Sequence, residues 1–325
     1  MASNSSNQTS VLPGVDWKEI VISALISLMF GIFGFCSNIV TMVVIRRKQS
    51  LHTPCFTLVT GHACFCLVMS VGFITGSVHD IGLGLDLFRP VYWRVGCAAV
   101  FSTTTFSAPP SSLMTFLMGL ERFSALAIPI PYRRHSGRFT KASLAVAALS
   151  GSLIAVVAIV STSDPWAPTL CHNMFSSFHS KFSTFFTYYN LVLSVLAISS
   201  YCAMHAFVVC KKRNQTDSGL QSAQSTELNH FLRKQLKLLP LVNALSIAYC
   251  IFGVGPPLIA STSSVIEGGK YLQRSSLYVI SLKSVMPCID FCVLSVKCRD
   301  FRLSLKNLLG IATMRIGPMP RNANY

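Results

Sequence analysis

Residues 20–45 read IVISALISLMFGIFGFCSNIVTMVVI, a run without a single charged side chain. A helix needs about 20 consecutive apolar residues to cross the hydrocarbon core of a bilayer, and this run is long enough. Six further apolar blocks follow it. The predicted spans cover residues 20–45, 56–78, 95–128, 142–160, 182–210, 236–260 and 277–296. One such block alone is also consistent with a buried core helix, but seven in succession are not.

The composition agrees with a membrane protein. Of the 325 residues, 51% are hydrophobic and 12% are charged, about half the charged fraction of a typical soluble domain. The net charge of +16 would suggest a nucleic-acid partner in a soluble protein. Here twenty of the 27 Lys and Arg residues fall in alternate loops and the C-terminal tail, six fall in the opposite loops, and Lys283 lies within the seventh span. This bias places the basic loops inside the cell, so the charge gives orientation and implies no nucleic acid.

The predicted fold class is therefore an all-α membrane protein, a seven-transmembrane helix bundle with its N-terminus outside and a cytoplasmic amphipathic helix. Residues 1–19 are expected to form an extracellular tail, residues 20–296 the membrane domain, and residues 297–325 a cytoplasmic helix and tail. The last segment alternates basic and apolar residues at helical spacing, which favours contact with membrane lipids. We expect a multi-pass protein of the plasma membrane.

The outer segments contain candidate modification sites. Asn4 and Asn7 each begin a glycosylation sequon in the N-terminal tail. Cys97 and Cys171 both face an oxidising compartment in this topology, which favours a disulfide between them. The alternative is two free thiols.

A few ionisable or amide side chains lie in the apolar spans. Glu121 and Arg122 end the third span, and an acid beside such an arginine can hold it in one of two states. Asp290 and Asn38 lie deep in spans seven and one and are expected to face the interior, with a purely structural polar contact as the alternative.

Other function classes are not favoured by the sequence. A transporter more often shows an internal repeat of its spans, and none is visible. An enzyme would need a nucleophile with its base, or a metal cluster, and the eight His residues lack ligand spacing. We expect no catalytic residue, no metal and no cofactor.

Four features occur in a specific order and spacing, namely Asn38 in GFCSN, Cys97 placed 25 residues before Arg122 of ERF, Cys171 in the second outer loop, and Asp290 ahead of CRDFR. Over about residues 20–305 the chain thereby resembles a rhodopsin-like G-protein-coupled receptor. The resemblance implies a ligand-activated receptor that couples to a heterotrimeric G protein. It also implies an activation switch that includes Glu121, Arg122, Asn38, Asp290 and Ser111 of span three.

Within that superfamily, FTLVTGHA at residues 56–63, PWAPTLC at 165–171 and SVMPCID at 284–290 resemble segments of prostanoid receptors. This resemblance implies that Trp166 and Thr169 contribute to a ligand site. The chain departs from the pattern at Cys66, where an Asp is usual, so the polar pocket formed with Ser111 and the span-seven acid is incomplete. Ser281 stands at the position of the arginine that pairs the ligand carboxylate in that family, and the resemblance makes it a further candidate ligand residue.

Lys283 offers a substitute for that arginine. It precedes Asp290 by seven residues, and on a regular helix this spacing returns a side chain to nearly the same face. The hypothesis is that Lys283 binds an anionic, prostaglandin-like lipid ligand. Two alternatives stay open: Lys283 pairs with a polar neighbour or extends outward, and the chain is an invertebrate chemoreceptor-like receptor for another small molecule or peptide.

Overall fold

The computed structural model describes residues 17–88, 91–160, 168–170, 180–217, 244–245, 247–256, 258–259, 279 and 281–310. Helices dominate the described residues, and one short antiparallel ribbon accompanies them. The helices are α1 (Trp17–Arg47), α2 (Pro54–Gly84), α3 (Arg94–Ala127), α4 (Pro129–Val160), α5 (Ser180–Asp217), α6 (Ile289–Lys297) and α7 (Arg299–Leu308), and the strands are β1 (Val91–Trp93) and β2 (Pro168–Leu170).

The long helices carry the apolar blocks of the sequence. Among the described residues, four helices are long and apolar enough to cross a membrane, and they correspond to predicted spans one, two, four and five. Large apolar side chains such as Leu149 and Ile159 of α4 are exposed on the outside of the bundle. Such a surface is stable against lipid and would be an aggregation risk in water.

The sixth and seventh spans are less regular than the sequence predicts. In the sixth, helical residues 247–249 lead into a π-helical turn, Cys250–Val254. In the seventh, residues 281–283 are helical, a turn and a 3₁₀ turn (Met286–Cys288) follow, and α6 then begins. Pro287 has no N–H to donate and cannot continue a regular helix. The register argument that placed Lys283 and Asp290 on one face assumed an unbroken helix and was wrong in that assumption.

The predicted third and fourth spans, 95–128 and 142–160, imply an inner loop at residues 129–140, and this prediction was also wrong. These residues form the first turns of α4, and only Ile128 separates α3 from α4. Pro129 stands at the first helical position, where its fixed φ and missing N–H carry no penalty. The early start of α4 brings Tyr132 beside the end of α3.

Helix α3 lies at the centre of the bundle and contacts α2, α4 and α5. Its contact with α4 is close at Gly151, where an added Cβ would lie 2.6 Å from Cγ of Pro110. Pro110 and Pro109 lie inside α3, which continues through them.

The ribbon joins the second outer loop to the start of α3. β1 pairs with β2, with Val91 opposite Leu170 and Trp93 opposite Pro168. Since β1 leads directly into α3, the pairing places β2 at the outer end of that helix.

The amphipathic helix after the seventh span is present as α7. Its Phe301 is fully buried and packs edge-to-face on Phe291 of α6, with ring centroids 6.2 Å apart. Ser50, between α1 and α2, donates to Asp300 over 3.4 Å. These contacts hold α7 against the inner end of the bundle.

Candidate functional site

Glu121 and Arg122 form an ion pair at the inner end of α3. Nε of Arg122 lies 2.5 Å from Oε2 of Glu121, and Nη2 lies 2.9 Å from Oε1. Both side chains are buried. Tyr132 of α4 donates its hydroxyl to Oε1 of Glu121. The carboxylate thus accepts hydrogen bonds from two N–H groups and one O–H group. A buried charge needs such partners to offset the free energy lost on leaving water.

A second polar cluster lies in the centre of the bundle around His62 of α2. Nδ1 of His62 lies 2.5 Å from Oδ2 of Asp290, and the two side chains are 0% and 2% exposed. Tyr249, beside the π-helical turn, donates its hydroxyl to Oδ1 of Asp290 over 3.0 Å. The same hydroxyl lies 3.2 Å from Nε2 of His62. Three segments far apart in the chain therefore meet at one carboxylate.

The other side of the imidazole faces α3. The hydroxyl of Ser111 lies 2.9 Å from Nε2 of His62. The thiol of Cys66, one turn along α2, lies 3.5 Å from Ser111 Oγ and 3.6 Å from Nε2. The structure thus brings Ser111 and Asp290 together, as the sequence suggested. The imidazole of His62 occupies the pocket that the missing acid at Cys66 had left incomplete.

His62 was missed by the sequence reasoning, which treated the His residues as scattered. The sequence did contain a signal for it. An ionisable side chain inside a membrane span costs free energy, so such a residue is a candidate functional residue by default. Asp290 received that interpretation, and His62 did not.

Asn38 of α1 does not join this cluster. Its Nδ2 donates to the carbonyl oxygen of Gly34 over 2.7 Å and to that of Pro287 over 2.8 Å. The second bond satisfies a carbonyl at the irregular turn of the seventh span. Asn38 therefore supports the segment that leads into Asp290.

Lys283 lies in the outer half of the seventh span and is partly buried. Its Nζ stands 5.6 Å from the ring centroid of Phe186 on α5, within the range of a cation–π contact. Phe186 packs on Phe182, with ring centroids 6.0 Å apart, and both rings are buried. The ion pairs of the described residues include His62 with Asp290, His79 with Asp80, and Arg122 with Glu121.

The other predicted ligand residues are placed as follows. Ser281 bonds to Ser23 of α1, with 2.7 Å between the hydroxyl oxygens, and so faces a different helix from Lys283. Thr169 lies in β2 opposite Tyr92. Trp166 lies outside the described residues, as do the sequons at Asn4 and Asn7.

Cys97 is buried near the start of α3 and is disulfide-bonded. Cys171 follows β2 directly but lies outside the described residues, so the pair of Cys97 with Cys171 stays a prediction. Nine other cysteines whose side chains the structure describes are free.

Comparison with solved structures shows the fold. Squid rhodopsin matches with a TM-score of 0.69 at 13% sequence identity, covering 91% of this chain and 87% of that one. At this identity the likeness establishes the seven-helix architecture and nothing finer.

Sequence comparison shows the family. Human olfactory receptor 10J4 is 26% identical over 166 residues, which are 50% of this chain and 51% of that receptor, so the match spans about half of each protein. The family model described as "Serpentine type 7TM GPCR chemoreceptor Srsx" matches residues 31–309, which include all of the helical bundle except the first turns of α1. Family and fold are those of a multi-pass membrane receptor. The chain belongs to the serpentine 7TM GPCR chemoreceptor family Srsx.

Proposed function

We propose that this receptor binds a small organic acid in the outer half of its bundle and, in response, activates a heterotrimeric G protein at the plasma membrane. The observation that carries the proposal is Lys283. Its ammonium group lies within a membrane span, and no carboxylate of the described residues stands within 4 Å of it.

An unneutralised cation inside a bilayer is costly, and such a residue usually marks a ligand or ion pathway. The ring of Phe186 offsets only part of this cost, because cation–π contacts contribute about 0.5–2 kcal/mol. A carboxylate entering from outside would contribute an attraction that no described acid supplies. Among the described residues, Lys283 is therefore the position at which an anionic ligand gains the most free energy.

The aromatic side chains of α5 indicate the rest of the ligand. Phe186 presents a buried ring beside Lys283, and the buried ring of Phe182 packs on that of Phe186. Tyr189 packs further along the same helix against Phe185. Ligand sites in receptors are mostly apolar, with a few polar groups that fix orientation. A molecule with an apolar body and one acidic end fits this chemistry, and prostaglandin-like lipid acids and shorter organic acids are two forms of it. The chemoreceptor family does not decide between them.

A second candidate is a receptor for a neutral small molecule or a peptide. The contact between Lys283 and Phe186 favours it, because that contact gives the lysine a structural role without a ligand. The family match is compatible with this candidate as well.

The test uses cells that express the full chain with an outer epitope tag, and it records cyclic AMP and calcium. The probes are prostaglandins, long-chain fatty acids, short organic acids, and the methyl ester of each. One charge-assisted hydrogen bond contributes about 1.5–3 kcal/mol, so we expect Lys283→Gln to lower the potency of an active acid by about 10- to 100-fold. Lys283→Arg should retain most of the response, and the esters should be weak.

The matched control is Lys181→Gln, which removes an exposed lysine at the outer end of α5 and should leave potency unchanged. An acid that acts equally well on the wild type and on Lys283→Gln, with its ester equally active, would refute the acid-ligand proposal. Activity confined to the prostaglandins and fatty acids would favour a lipid acid, and activity of the short acids would favour a water-soluble odorant-like acid.

A further inference from the structure

The first turns of α4 carry a stripe of basic side chains on one face of the helix. Arg134, Arg138 and Lys141 follow one another at spacings of four and three residues, and all three are exposed. At 3.6 residues per turn these spacings place them in one row along the helix. Tyr132 and Ser143, which are buried, lie on the opposite side. Because this segment is helical, the three charges have fixed relative positions.

The basic stripe continues into the lipid-facing surface of α4. Ala145, Leu149 and Val156 extend the same row, and the last two are 68% and 55% exposed. Residues 142–160 contain no charged side chain. At 1.5 Å per residue they span about 28 Å, which is close to the thickness of the hydrocarbon core of a bilayer.

This length gives the depth of each cation along the helix. Lys141 lies at the inner edge of the hydrocarbon, and Arg138 and Arg134 lie about 4.5 and 10 Å further toward the cytoplasm. The headgroup layer is only about 5–8 Å thick on each side of a bilayer. Arg134 therefore lies at or beyond the outer edge of that layer. A lipid that contacts all three cations needs a headgroup that extends beyond its neighbours.

The charge of the stripe also favours a headgroup with several phosphates. Residues 129–160 contain no Asp or Glu, so the helix itself supplies no counter-charge. Like charges three or four residues apart on a helix repel one another. Two of the three cations are arginines, whose planar guanidinium group binds phosphate oxygens through two N–H groups at once.

We propose that Arg134, Arg138 and Lys141 form a binding site for an inner-leaflet phospholipid of the bisphosphorylated phosphoinositide class. The acyl chains lie along the apolar row of α4, the phosphodiester lies at Lys141, and the ring phosphates lie between Arg138 and Arg134. Such a headgroup carries the charge and the length that the stripe requires.

The bound lipid also stabilises the helical form of residues 129–140, because it neutralises the like charges on these turns. Tyr132 donates to Glu121 from the opposite face of the same turns. Lipid binding thereby helps to hold Tyr132 at the ion pair of Glu121 and Arg122.

The experiment measures lipid retention by the purified full-length receptor in detergent, using native mass spectrometry. The wild type carries a short tag and is mixed with an untagged variant, so that both compete for the same dioctanoyl phosphatidylinositol bisphosphate. Each basic residue near an anionic lipid contributes about 5-fold in affinity. We therefore expect Arg134→Gln/Arg138→Gln/Lys141→Gln to bind about 100-fold more weakly. Unchanged retention in this triple variant would overturn the proposal and would leave the surface to a protein partner.

The matched control is Arg133→Gln. Arg133 is exposed like Arg134 but lies about 100° around the helix, outside the stripe. Arg134→Gln should lose about 5-fold in affinity, and Arg133→Gln less than about 2-fold. Equal losses in these two variants would overturn the assignment of the stripe. The two single variants decide the question if the triple variant does not fold.

Two further probes separate this lipid from other anions. Dioctanoyl phosphatidylserine has a shorter headgroup with less charge and should bind at least about 10-fold more weakly. Inositol trisphosphate has the phosphates without acyl chains and should bind weakly, because it gains nothing from the apolar row. Binding of either probe as tightly as the bisphosphate lipid would refute the assignment to that lipid. The measurement needs no agonist, so its outcome is independent of the acid-ligand proposal.

Discussion

The hydroxyl of Tyr132 should help to hold the receptor in the conformation with Arg122 paired to Glu121. The side chain lies on the first turns of α4 and donates to Oε1 of Glu121, an oxygen that also receives Nη2 of Arg122. The substitution Tyr132→Phe removes this hydroxyl and keeps the ring. It therefore tests the hydrogen bond with little change in packing.

The size of the effect follows from the burial of the acceptor. Glu121 is 0% exposed, so water does not replace a lost donor freely. A hydrogen bond to a charged group contributes about 1.5–3 kcal/mol. If the bond exists only while Arg122 is paired, its loss shifts the equilibrium toward released conformations by about 10- to 100-fold. A basal active fraction of about 1% would then rise to about 10% or more.

The assay is ligand-free second-messenger output in cells, normalised to surface receptor measured by an outer epitope tag. Glu121→Gln serves as the reference, because it removes the charge that holds Arg122. The double variant Glu121→Gln/Tyr132→Phe should signal no more than Glu121→Gln alone, since the hydroxyl then has no carboxylate to bond.

A basal signal of Tyr132→Phe equal to that of the wild type, at equal surface level and with Glu121→Gln raised, would refute the reasoning. It would show that the hydroxyl bonds equally well in both conformations. Fully additive effects in the double variant would also contradict it, because they would mean that Tyr132 acts through another group.

Two predictions concern stability. Gly151→Leu should lower the melting temperature and surface expression, because even the first added carbon would lie 2.6 Å from Pro110 and 2.8 Å from a backbone oxygen of α3; Gly137→Ala, where nothing lies within 4 Å, should be neutral or slightly stabilising. Phe301→Ala should cost about 3–5 kcal/mol of unfolding free energy, measured as a fall in melting temperature, whereas Leu303→Ala on the 40% exposed face of α7 should cost far less.

The fold was largely predictable because apolar length and basic-residue bias are properties of the sequence that the bilayer enforces. The helix bounds were less so. Residues 129–140 contain several basic residues and two prolines, a pattern typical of a loop, yet they form helix. The pattern does not record that Pro129 stands where a helix can begin, nor that only Ile128 separates the two helices.

Individual residues of the site could be predicted from the sequence, but their contacts with one another could not. Asp290 and Ser111 were both selected, and the group that joins them, His62, was not. Its contacts to Ser111 and Asp290 are separated by 49 and 228 residues in the chain, so no local pattern reports them. Likewise, seven-residue spacing relates Lys283 to Asp290 only on an unbroken helix, and the turn near Pro287 interrupts it.

Three charge sites of the bundle, at Arg122, Asp290 and Lys283, differ in how they are neutralised, and this difference suggests different parts in signalling. Arg122 is satisfied at the inner end by the residue beside it, and Asp290 is satisfied at the centre by His62 from another helix. At the outer end the described residues supply no acid to Lys283, so that is where an external anion can add the most free energy. Binding free energy gained at Lys283 can influence Arg122 only through a structural element that has two alternative conformations. The sixth segment is suited to that part, because it carries a π-helical turn and bonds through Tyr249 to the central pair. A variant that breaks the central pair should therefore alter ligand-free signalling even though it touches neither Lys283 nor Arg122.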